Sequence, residues 1–210
     1  DYFGWSVSLS SDGSVVAIGG IYDDDAASNA GHVRIYENNN GTWTQIGSDI
    51  DGEAYSDHSG NSVSLSSDGS VVAIGARYND GGGSNSGHVR IYENNNGTWT
   101  QIGSDIDGEG SYDESGFSVS LSSDGSVVAI GARYNDGGGS NSGHVRIYEN
   151  NNGTWTQIGS DIDGESSSDY SGSSVSLSAD GSVLAIGAYA NDGGGYDSGH
   201  VRIYKNNNGT

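Results

Sequence analysis

Short runs in which apolar and polar residues alternate recur along the chain, separated by runs that are almost wholly apolar. In SVSLS, residues 6–10, Val and Leu alternate with Ser, which is the two-residue period of a half-buried β-strand. The run VVAIG, residues 15–19, is nearly continuous, as in a strand buried on both faces. Alternation returns in HVRIY, residues 32–36, and again after an NNNG turn in TWTQI, residues 42–46. The pattern predicts four antiparallel strands here and no helix.

The same pattern returns every 56 residues, since Gly4, Gly60, Gly116 and Gly172 each open the same phrase. The second and third copies differ at only four pairs of positions, 61/117, 110/166, 112/168 and 114/170. A fixed period of this length indicates an array in which each repeat is one supersecondary unit. We therefore interpret 1–210 as a single repeat domain, made of repeats 4–59, 60–115, 116–171 and an incomplete 172–210.

The predicted fold class is all-β, a β-propeller-type array of four-stranded antiparallel blades. A β-solenoid is the second interpretation, less favoured because its coils are usually shorter and contain fewer hairpins. The fourth copy lacks the strand WTQIGSDIDGE, so its blade is expected to have three strands, with HVRIYK at the outer edge. An unpaired edge is a template for another strand. We expect either a longer array or self-association through this open edge.

Charge and composition narrow the range of partners. The chain has 28 Asp and Glu against 7 Lys and Arg, a formal net charge of -21. Such a chain is repelled by the phosphates of nucleic acids and by anionic membrane surfaces. It has no cysteine and no run of 18 apolar residues, so neither disulfides nor membrane insertion is expected. The composition suits a salty or calcium-containing medium, and an extracellular localisation is predicted.

Phe3-Gly4, the strands that follow it and the phrase GHVRIYE together resemble the FG-GAP repeat of integrin α-type β-propellers. Gly75-Ala76 and its equivalents in the third and fourth copies match the second part of that pattern, although Pro never follows. The resemblance implies a propeller fold. It also implies a structural or adhesive role at a cell surface or in an extracellular fibre, with glycans, matrix proteins or cell-surface proteins as partners.

Many FG-GAP repeats carry a DxDxDG calcium loop between their first two strands, whereas this chain has Asp-Gly turns, predicted to be tight two-residue hairpin turns, at 12–13, 68–69, 124–125 and 180–181. Such a turn cannot supply the six to eight oxygens that calcium binds. The family's calcium site is therefore expected to be absent, and no cofactor is required.

Ca²⁺ could still bind at the repeated phrase SDIDGE, whose spacing can turn three carboxylates toward one ion. The favoured alternative is a solvated outer strand whose charges block edge pairing. The candidate metal ligands are Asp49, Asp51, Glu53, Asp105, Asp107, Glu109, Asp161, Asp163 and Glu165.

One histidine occurs in each GHVRIY phrase, namely His32, His88, His144 and His200. We expect these side chains to hydrogen-bond to acidic loops or to a neighbouring blade. Catalysis needs one asymmetric constellation of groups. Near-identical copies offer the same residues again and again, so the sequence predicts that the protein is not an enzyme.

The Asn-Gly-Thr turns match the acceptor pattern for N-glycosylation. Asn-Gly is also a strong hairpin signal, because both residues tolerate positive φ. We favour glycosylation, at Asn40, Asn96, Asn152 and Asn208.

The sequence as a whole predicts an extracellular structural or adhesive repeat protein that is glycosylated on surface turns and assembles into a fibre or a larger propeller. The alternative is a carbohydrate-binding, lectin-like propeller with one site per blade. Its candidate pocket residues are Tyr78, Asn79, Tyr134 and Asn135.

Overall fold

The computed structural model describes residues 1–206, and every regular element within them is a β-strand. The first repeat contains β1 (Phe3–Leu9), β2 (Val15–Gly20), β3 (His32–Asn39), β4 (Thr42–Gln45) and β5 (Ile50–Asp51). The second contains β6 (Ser59–Leu65), β7 (Val71–Ala76), β8 (His88–Asn95), β9 (Thr98–Gln101) and β10 (Ile106–Asp107). The third contains β11 (Ser115–Leu121), β12 (Val127–Ala132), β13 (His144–Asn151), β14 (Thr154–Gln157) and β15 (Ile162–Asp163). The fourth contains β16 (Ser171–Leu177), β17 (Val183–Ala188) and β18 (His200–Lys205). In the described part of the chain there is no helix able to cross a membrane.

Each repeat forms one antiparallel sheet, and the predicted four-stranded blades are confirmed with one refinement. In the first repeat the order is β1-β2-β3-β4, and β5 also pairs with β3. The predicted fourth strand is therefore broken: β4 pairs with the end of β3, where Asn39 faces Thr42, and β5 pairs with its start, where His32 faces Asp51. Gly47 lies at the break with a φ of 72°, a backbone conformation that interrupts a strand. The fourth repeat is the three-stranded sheet β16-β17-β18.

Two kinds of hairpin hold each blade together. The β3–β4 turn has positive φ at both Asn40 and Gly41, 54° and 92°, as in the turns that match strand twist. The β1–β2 connection spans residues 10–14, longer than the predicted two-residue turn. Its Asp12 Oδ1 accepts hydrogen bonds from Ser14 N, Ser14 Oγ and Ser10 Oγ at 2.7–2.9 Å. One carboxylate with an oxygen already saturated does not fit the family's calcium loop.

The apolar core lies between blades. Val33 and Ile35 of β3 pack against Leu65, Val72 and Ile74 of the second blade, and an equivalent cluster joins the second and third blades. Each such side chain contributes roughly 1.5–3 kcal/mol when fully buried. Consecutive blades also meet in isolated parallel β-bridges, such as the one between residues 31 and 59. Backbone contacts therefore run along the same boundary as the apolar core.

The array is open, and its two end faces leave exposed the side chains that are buried between blades elsewhere. Leu9 on the first blade is 59% exposed, whereas its equivalent Leu65 is 8% exposed. Ile203 on the fourth blade is 72% exposed, whereas its equivalent Ile35 is 1% exposed. The all-β, open propeller-type array predicted from the sequence is therefore confirmed.

Candidate functional site

Several of the residues that differ between the repeats meet at one end of the blades, where the first strand of each blade begins and the second ends. Antiparallel neighbours bring these two positions together. Four repeat positions are involved: Tyr2, His58, Glu114 and Tyr170; Trp5, Asn61, Phe117 and Ser173; Ile21, Arg77, Arg133 and Tyr189; Tyr22, Tyr78, Tyr134 and Ala190. We call the contacting set the loop-face row: Tyr2, Tyr22, His58, Tyr78, Arg77, Phe117, Glu114, Arg133, Tyr134, Tyr170 and Tyr189.

The first part of the row is aromatic. Tyr22 lies with its ring centroid 4.9 Å from Tyr2 and 4.7 Å from His58, both edge-to-face. The His58 ring in turn lies 4.9 Å from Tyr78. Edge-to-face ring pairs at such distances each contribute about 0.5–1.5 kcal/mol beyond burial. These ring contacts stabilise the arrangement of Tyr2, Tyr22, His58 and Tyr78.

Two guanidinium groups continue the row into the third blade. Arg77 Cζ lies 4.5 Å from the ring centre of Tyr78 and 5.8 Å from that of Phe117. Arg133 Cζ lies 3.8 Å from Phe117 and 4.5 Å from Tyr134. Both arginines are thus held over aromatic faces by cation–π attraction.

The two arginines differ in their polar partners. Glu114 Oε2 accepts a hydrogen bond from Arg133 Nε at 3.1 Å and lies 3.0 Å from Nη2. The position equivalent to Glu114 in the preceding repeat is His58, so Arg77 has no carboxylate in the place that Glu114 takes beside Arg133, and the charge of Glu114 acts on Arg77 from beyond 4.0 Å. Within residues 1–206 Arg77 makes no hydrogen bond or ion pair, and its Nε is buried without a partner. The His58 Nδ1 is also buried without a partner.

Burial and the neighbouring guanidinium set the protonation of the row. The pKa of His58 is lowered, first by burial and then by the charge of Arg77, so the imidazole is neutral near pH 7. The pKa of Glu114 is raised by burial, against the opposing effect of Arg133 and Arg77. A neutral imidazole next to an unpaired guanidinium can receive an anionic group.

The row ends in tyrosines. The Tyr134 ring lies 5.5 Å from Tyr170, which stacks on Tyr189 at 5.2 Å with an interplanar angle of 9°. Tyr189 replaces the arginine of the two middle repeats. The four blades therefore present different chemistry along one continuous row.

The predicted pocket residues divide into two groups. Tyr78 and Tyr134 belong to the loop-face row. Asn79 and Asn135 are buried, and each Nδ2 donates to an aspartate of the preceding turn at 2.8–3.0 Å. These amides hold the loops in place. Ligand binding by any of the four stays a prediction.

Sequence reasoning missed His58, Arg77, Glu114 and Arg133. The signal was present, because two of the four differences between the near-identical second and third repeats, 61/117 and 114/170, fall in this row. A difference between copies that otherwise match is where a specific contact can be placed.

The predicted carboxylates of one repeat have different partners in the structure, and calcium binding by them stays a prediction. In the first repeat Asp49 Oδ2 accepts from Arg34 Nε at 2.8 Å, whereas Glu53 reaches the next blade, with Oε1 3.5 Å from Arg90 Nη1. The carbonyl of Asp51 accepts from Arg90 Nη2 at 2.6 Å. In the later repeats, the arginine contacts recur for Asp107, Glu109, Asp163 and Glu165. Asp105 and Asp161 accept hydrogen bonds from glutamine side chains.

The predicted glycosylation sites Asn40, Asn96 and Asn152 lie exposed at the tips of the β3–β4, β8–β9 and β13–β14 turns. Asn208 lies outside the described residues. Glycosylation itself stays a prediction.

Two solved structures resemble this fold. A protein of Bacteroides uniformis named as a 6-phosphogluconolactonase matches with a TM-score of 0.58 and 18% sequence identity, covering 97% of this chain and 50% of that one. The periplasmic gluconolactonase of Pseudomonas aeruginosa matches with a TM-score of 0.54 and 17% identity, covering 86% of this chain and 48% of that one. The chain thus spans about half the length of these structures, and at such identities the likeness shows the fold. No curated protein sequence matches the chain.

The prediction that the protein is not an enzyme is wrong. It assumed that near-identical repeats offer no asymmetric set of groups, whereas propellers of the same fold carry the names of lactonases. The loop-face row shows why the assumption failed, because His58 and Glu114 occupy equivalent positions and yet differ in chemistry.

A family model matches most of the sequence. Residues 1–36, 48–92 and 104–148 match the family model described as the FG-GAP repeat. These segments cover more than half of the chain, and they contain the strands, the glycine-rich loops and the GHVRIY phrase described above. The chain belongs to the FG-GAP repeat family.

Proposed function

We propose that this chain is an extracellular adhesive module that binds an acidic saccharide through the loop-face row. FG-GAP membership supports a repeat protein of the adhesion type. The observation that carries the finer proposal is Arg77, a guanidinium over the ring of Tyr78 whose Nε has no hydrogen-bond partner and which makes no ion pair within 4.0 Å, although the charge of Glu114 acts on it from farther away.

The charge balance makes Arg77 stand out. The other five arginines each lie within 4.0 Å of a carboxylate oxygen, in the pairs Arg34–Asp49, Arg90–Glu53, Arg133–Glu114, Arg146–Glu109 and Arg202–Glu165. A chain with a net charge of -21 repels anions over most of its surface, so a guanidinium without an ion pair is one of the few groups at which an anion can bind. A carboxylate or sulfate would receive charge-assisted hydrogen bonds from Arg77 and a further bond from neutral His58.

The aromatic part of the row suits a sugar ring. Tyr22, Tyr78 and Tyr134 are half-buried, so each leaves part of its ring open to a partner. An apolar face combined with a few placed polar groups is the usual composition of a small-ligand site. The expected ligand therefore carries both a ring that packs on tyrosine and an acidic substituent.

Titration calorimetry that measures the binding of a uronate-containing oligosaccharide tests the proposal. His58→Glu would recreate at Arg77 the pair that Glu114 makes with Arg133, and is expected to weaken binding at least tenfold, as is Arg77→Gln. Tyr55→Ala, on an exposed ring outside the row, is the matched control and should bind like the parent. Unchanged affinity in both His58→Glu and Arg77→Gln would contradict the proposal.

Hydrolysis of a sugar lactone at the same row is a second candidate. A neutral imidazole beside a guanidinium offers a base and a group that stabilises a developing oxyanion. Both fold neighbours bear lactonase names. Proton release from glucono-δ-lactone should exceed the spontaneous rate and return to it in His58→Ala. A rate equal to the spontaneous one in the unmodified protein would exclude this candidate.

The exposed Asn-Gly-Thr turns support N-glycosylation as part of this proposal, at positions far along the blade from the row. Intact mass of the protein secreted from a eukaryotic host, before and after removal of N-glycans, tests it. A mass equal to that of the bare chain would contradict it.

Assembly is proposed to occur between copies of this chain, through the end faces that carry Leu9 and Ile203. The same two surfaces meet between each pair of blades inside the chain, where Leu65 and Ile35 belong to one cluster. A second copy can therefore repeat an interface that the chain already uses.

A further inference from the structure

A buried histidine faces two carboxylates at the boundary between the first and second blades. His88 is 1% exposed, and its Nδ1 has no hydrogen-bond partner. Glu53 Oε2 lies 4.0 Å from this nitrogen and Asp105 Oδ2 lies 3.8 Å from it. Glu53 follows β5 of the first blade, whereas Asp105 lies between β9 and β10 of the second. The three atoms therefore join two blades.

The other oxygen of each carboxylate is already held by the protein. Asp105 Oδ1 accepts a hydrogen bond from Gln101 Nε2 at 2.6 Å, and Glu53 Oε1 lies 3.5 Å from Arg90 Nη1. These contacts orient Oδ2 and Oε2 toward His88. Outer contacts of this kind orient ligands in metal sites.

The spacing fits an ion better than a hydrogen bond. At 3.8 and 4.0 Å the nitrogen and the oxygens are too far apart to share a proton. Two zinc ligands that each lie about 2.0–2.2 Å from the ion, at the tetrahedral angle, are about 3.3–3.6 Å apart. The distances from His88 Nδ1 to Asp105 Oδ2 and to Glu53 Oε2, 3.8 and 4.0 Å, exceed this spacing by roughly 0.2–0.7 Å, so a side-chain movement of that size brings both oxygens to an ion.

The arrangement recurs one repeat later. His144, Glu109 and Asp161 bring one nitrogen and two oxygens within 4.8 Å of one another, and His144 Nδ1 lies 3.9 Å from Glu109 Oε2. Gln157 holds the second oxygen of Asp161 at 2.7 Å. In the first blade the related group is already closed, because Asp23 Oδ2 lies 2.9 Å from His32 Nδ1. Two open sites and one closed site are thus present in the described residues.

We propose that the His88 and His144 clusters each bind one divalent transition-metal ion such as Zn²⁺, which joins neighbouring blades. Imidazole with two carboxylates is a ligand set for zinc, whereas calcium takes oxygen ligands only. His88 is buried and its Nδ1 makes no hydrogen bond, so this nitrogen is available to coordinate an ion. This ligand set differs from the three carboxylates predicted within one SDIDGE phrase, because it takes Glu53 from one blade and Asp105 from the next.

Calorimetric titration of the EDTA-treated protein with Zn²⁺ tests the proposal, in 0.15 M NaCl with excess Mg²⁺ to occupy unspecific acidic sites. We expect two sites of similar affinity, one site in Glu53→Gln, one in Glu109→Gln, and none in the double variant. Asp25→Asn, which removes an exposed charge elsewhere, is the matched control and should keep both sites.

Zn²⁺ should also raise the melting temperature of the parent protein, and by a smaller amount in each single variant. The Glu→Gln changes keep side-chain size, and circular dichroism of the EDTA-treated variants checks that they fold. If a variant is unfolded, His88→Gln and His144→Gln replace it in the same design. A stoichiometry other than two in the parent, or binding in the double variant equal to that of the parent, would overturn the proposal.

Discussion

Trp99 donates its indole N–H to the carbonyl oxygen of Ile46 at 3.0 Å, across the boundary between the second and first blades. Trp155 repeats this contact with Ile102 at 2.9 Å. Trp43, the equivalent residue of the first blade, is 45% exposed. The tryptophan of the repeated ENNNGTW phrase thus connects the second blade to the first and the third blade to the second.

Replacing Trp99 by Phe should lower the free energy of unfolding by about 1–2 kcal/mol, since it leaves the Ile46 carbonyl without its donor. Trp43→Phe should change it by less than about 0.5 kcal/mol. Urea unfolding monitored by circular dichroism measures both. Equal effects of the two variants would show that the indole hydrogen bond is not what matters.

Gly131→Ala should destabilise the array more than Gly187→Ala. A Cβ on Gly131 would overlap the carbonyl oxygen of Gly172 in the next blade, whereas at Gly187 the nearest atom is the movable hydroxyl of Ser174. We expect a difference of about 1–3 kcal/mol. The melting temperatures of the two variants measure this difference. A lower melting temperature for Gly187→Ala than for Gly131→Ala would contradict a close contact between Gly131 and the next blade.

The buried histidines should make stability depend on pH. The pKa of His88 and that of His144 lie at about 4 in the folded chain, through burial and then through Arg90 and Arg146, against about 6.5 when unfolded. Because the folded value is the lower one, their contribution is complete above about pH 6.5 and is lost as the pH falls toward 4. Buried carboxylates with raised pKa values, Glu114 among them, act in the opposite direction.

To isolate this effect, we compare the unfolding free energy of the parent with that of a His88→Gln, His144→Gln double variant, from pH 4 to 7 in EDTA. The carboxylates are common to both proteins, so their contribution cancels in the difference. The free-energy difference between the two proteins should change steadily over this range. A constant difference would mean that the histidines do not titrate between folded and unfolded states.

Assembly through the end faces should be blocked by Val7→Asp and, separately, by Ile203→Asp, since both side chains are more than half exposed and apolar. Each variant keeps one intact face. An equimolar mixture should therefore form a dimer, while each variant alone stays monomeric in light scattering after gel filtration. Failure of the mixture to associate, with association of the parent, would contradict a head-to-tail interface.

Much of the fold was predictable because its signals are local. The period of two in SVSLS, the run VVAIG and the Asn-Gly turns each specify a strand or a hairpin within about ten residues, and the exact repetition extends them to every blade. The break between β4 and β5 was missed because Gly47 is one residue within a run that otherwise reads as a strand.

The sites were less predictable because they depend on contacts between repeats. Glu53 meets His88, and Arg77 lies over Phe117, at separations in sequence that no single motif displays. Reading one repeat at a time assigned Glu53 to its own SDIDGE phrase. In the packed array Glu53 also lies near His88 and Arg90 of the next blade.

The boundary between blades joins two different surfaces, one with Leu65 and one with Ile35, so it is never self-complementary. Copies that associate through it must all point in the same direction. Any filament of this protein would have distinguishable ends, as a one-way stack rather than a mirrored one, and could grow from one end with a rate different from that at the other. The loop-face rows of successive copies would then follow one another at the same end of the blades and present the same chemistry at a fixed spacing.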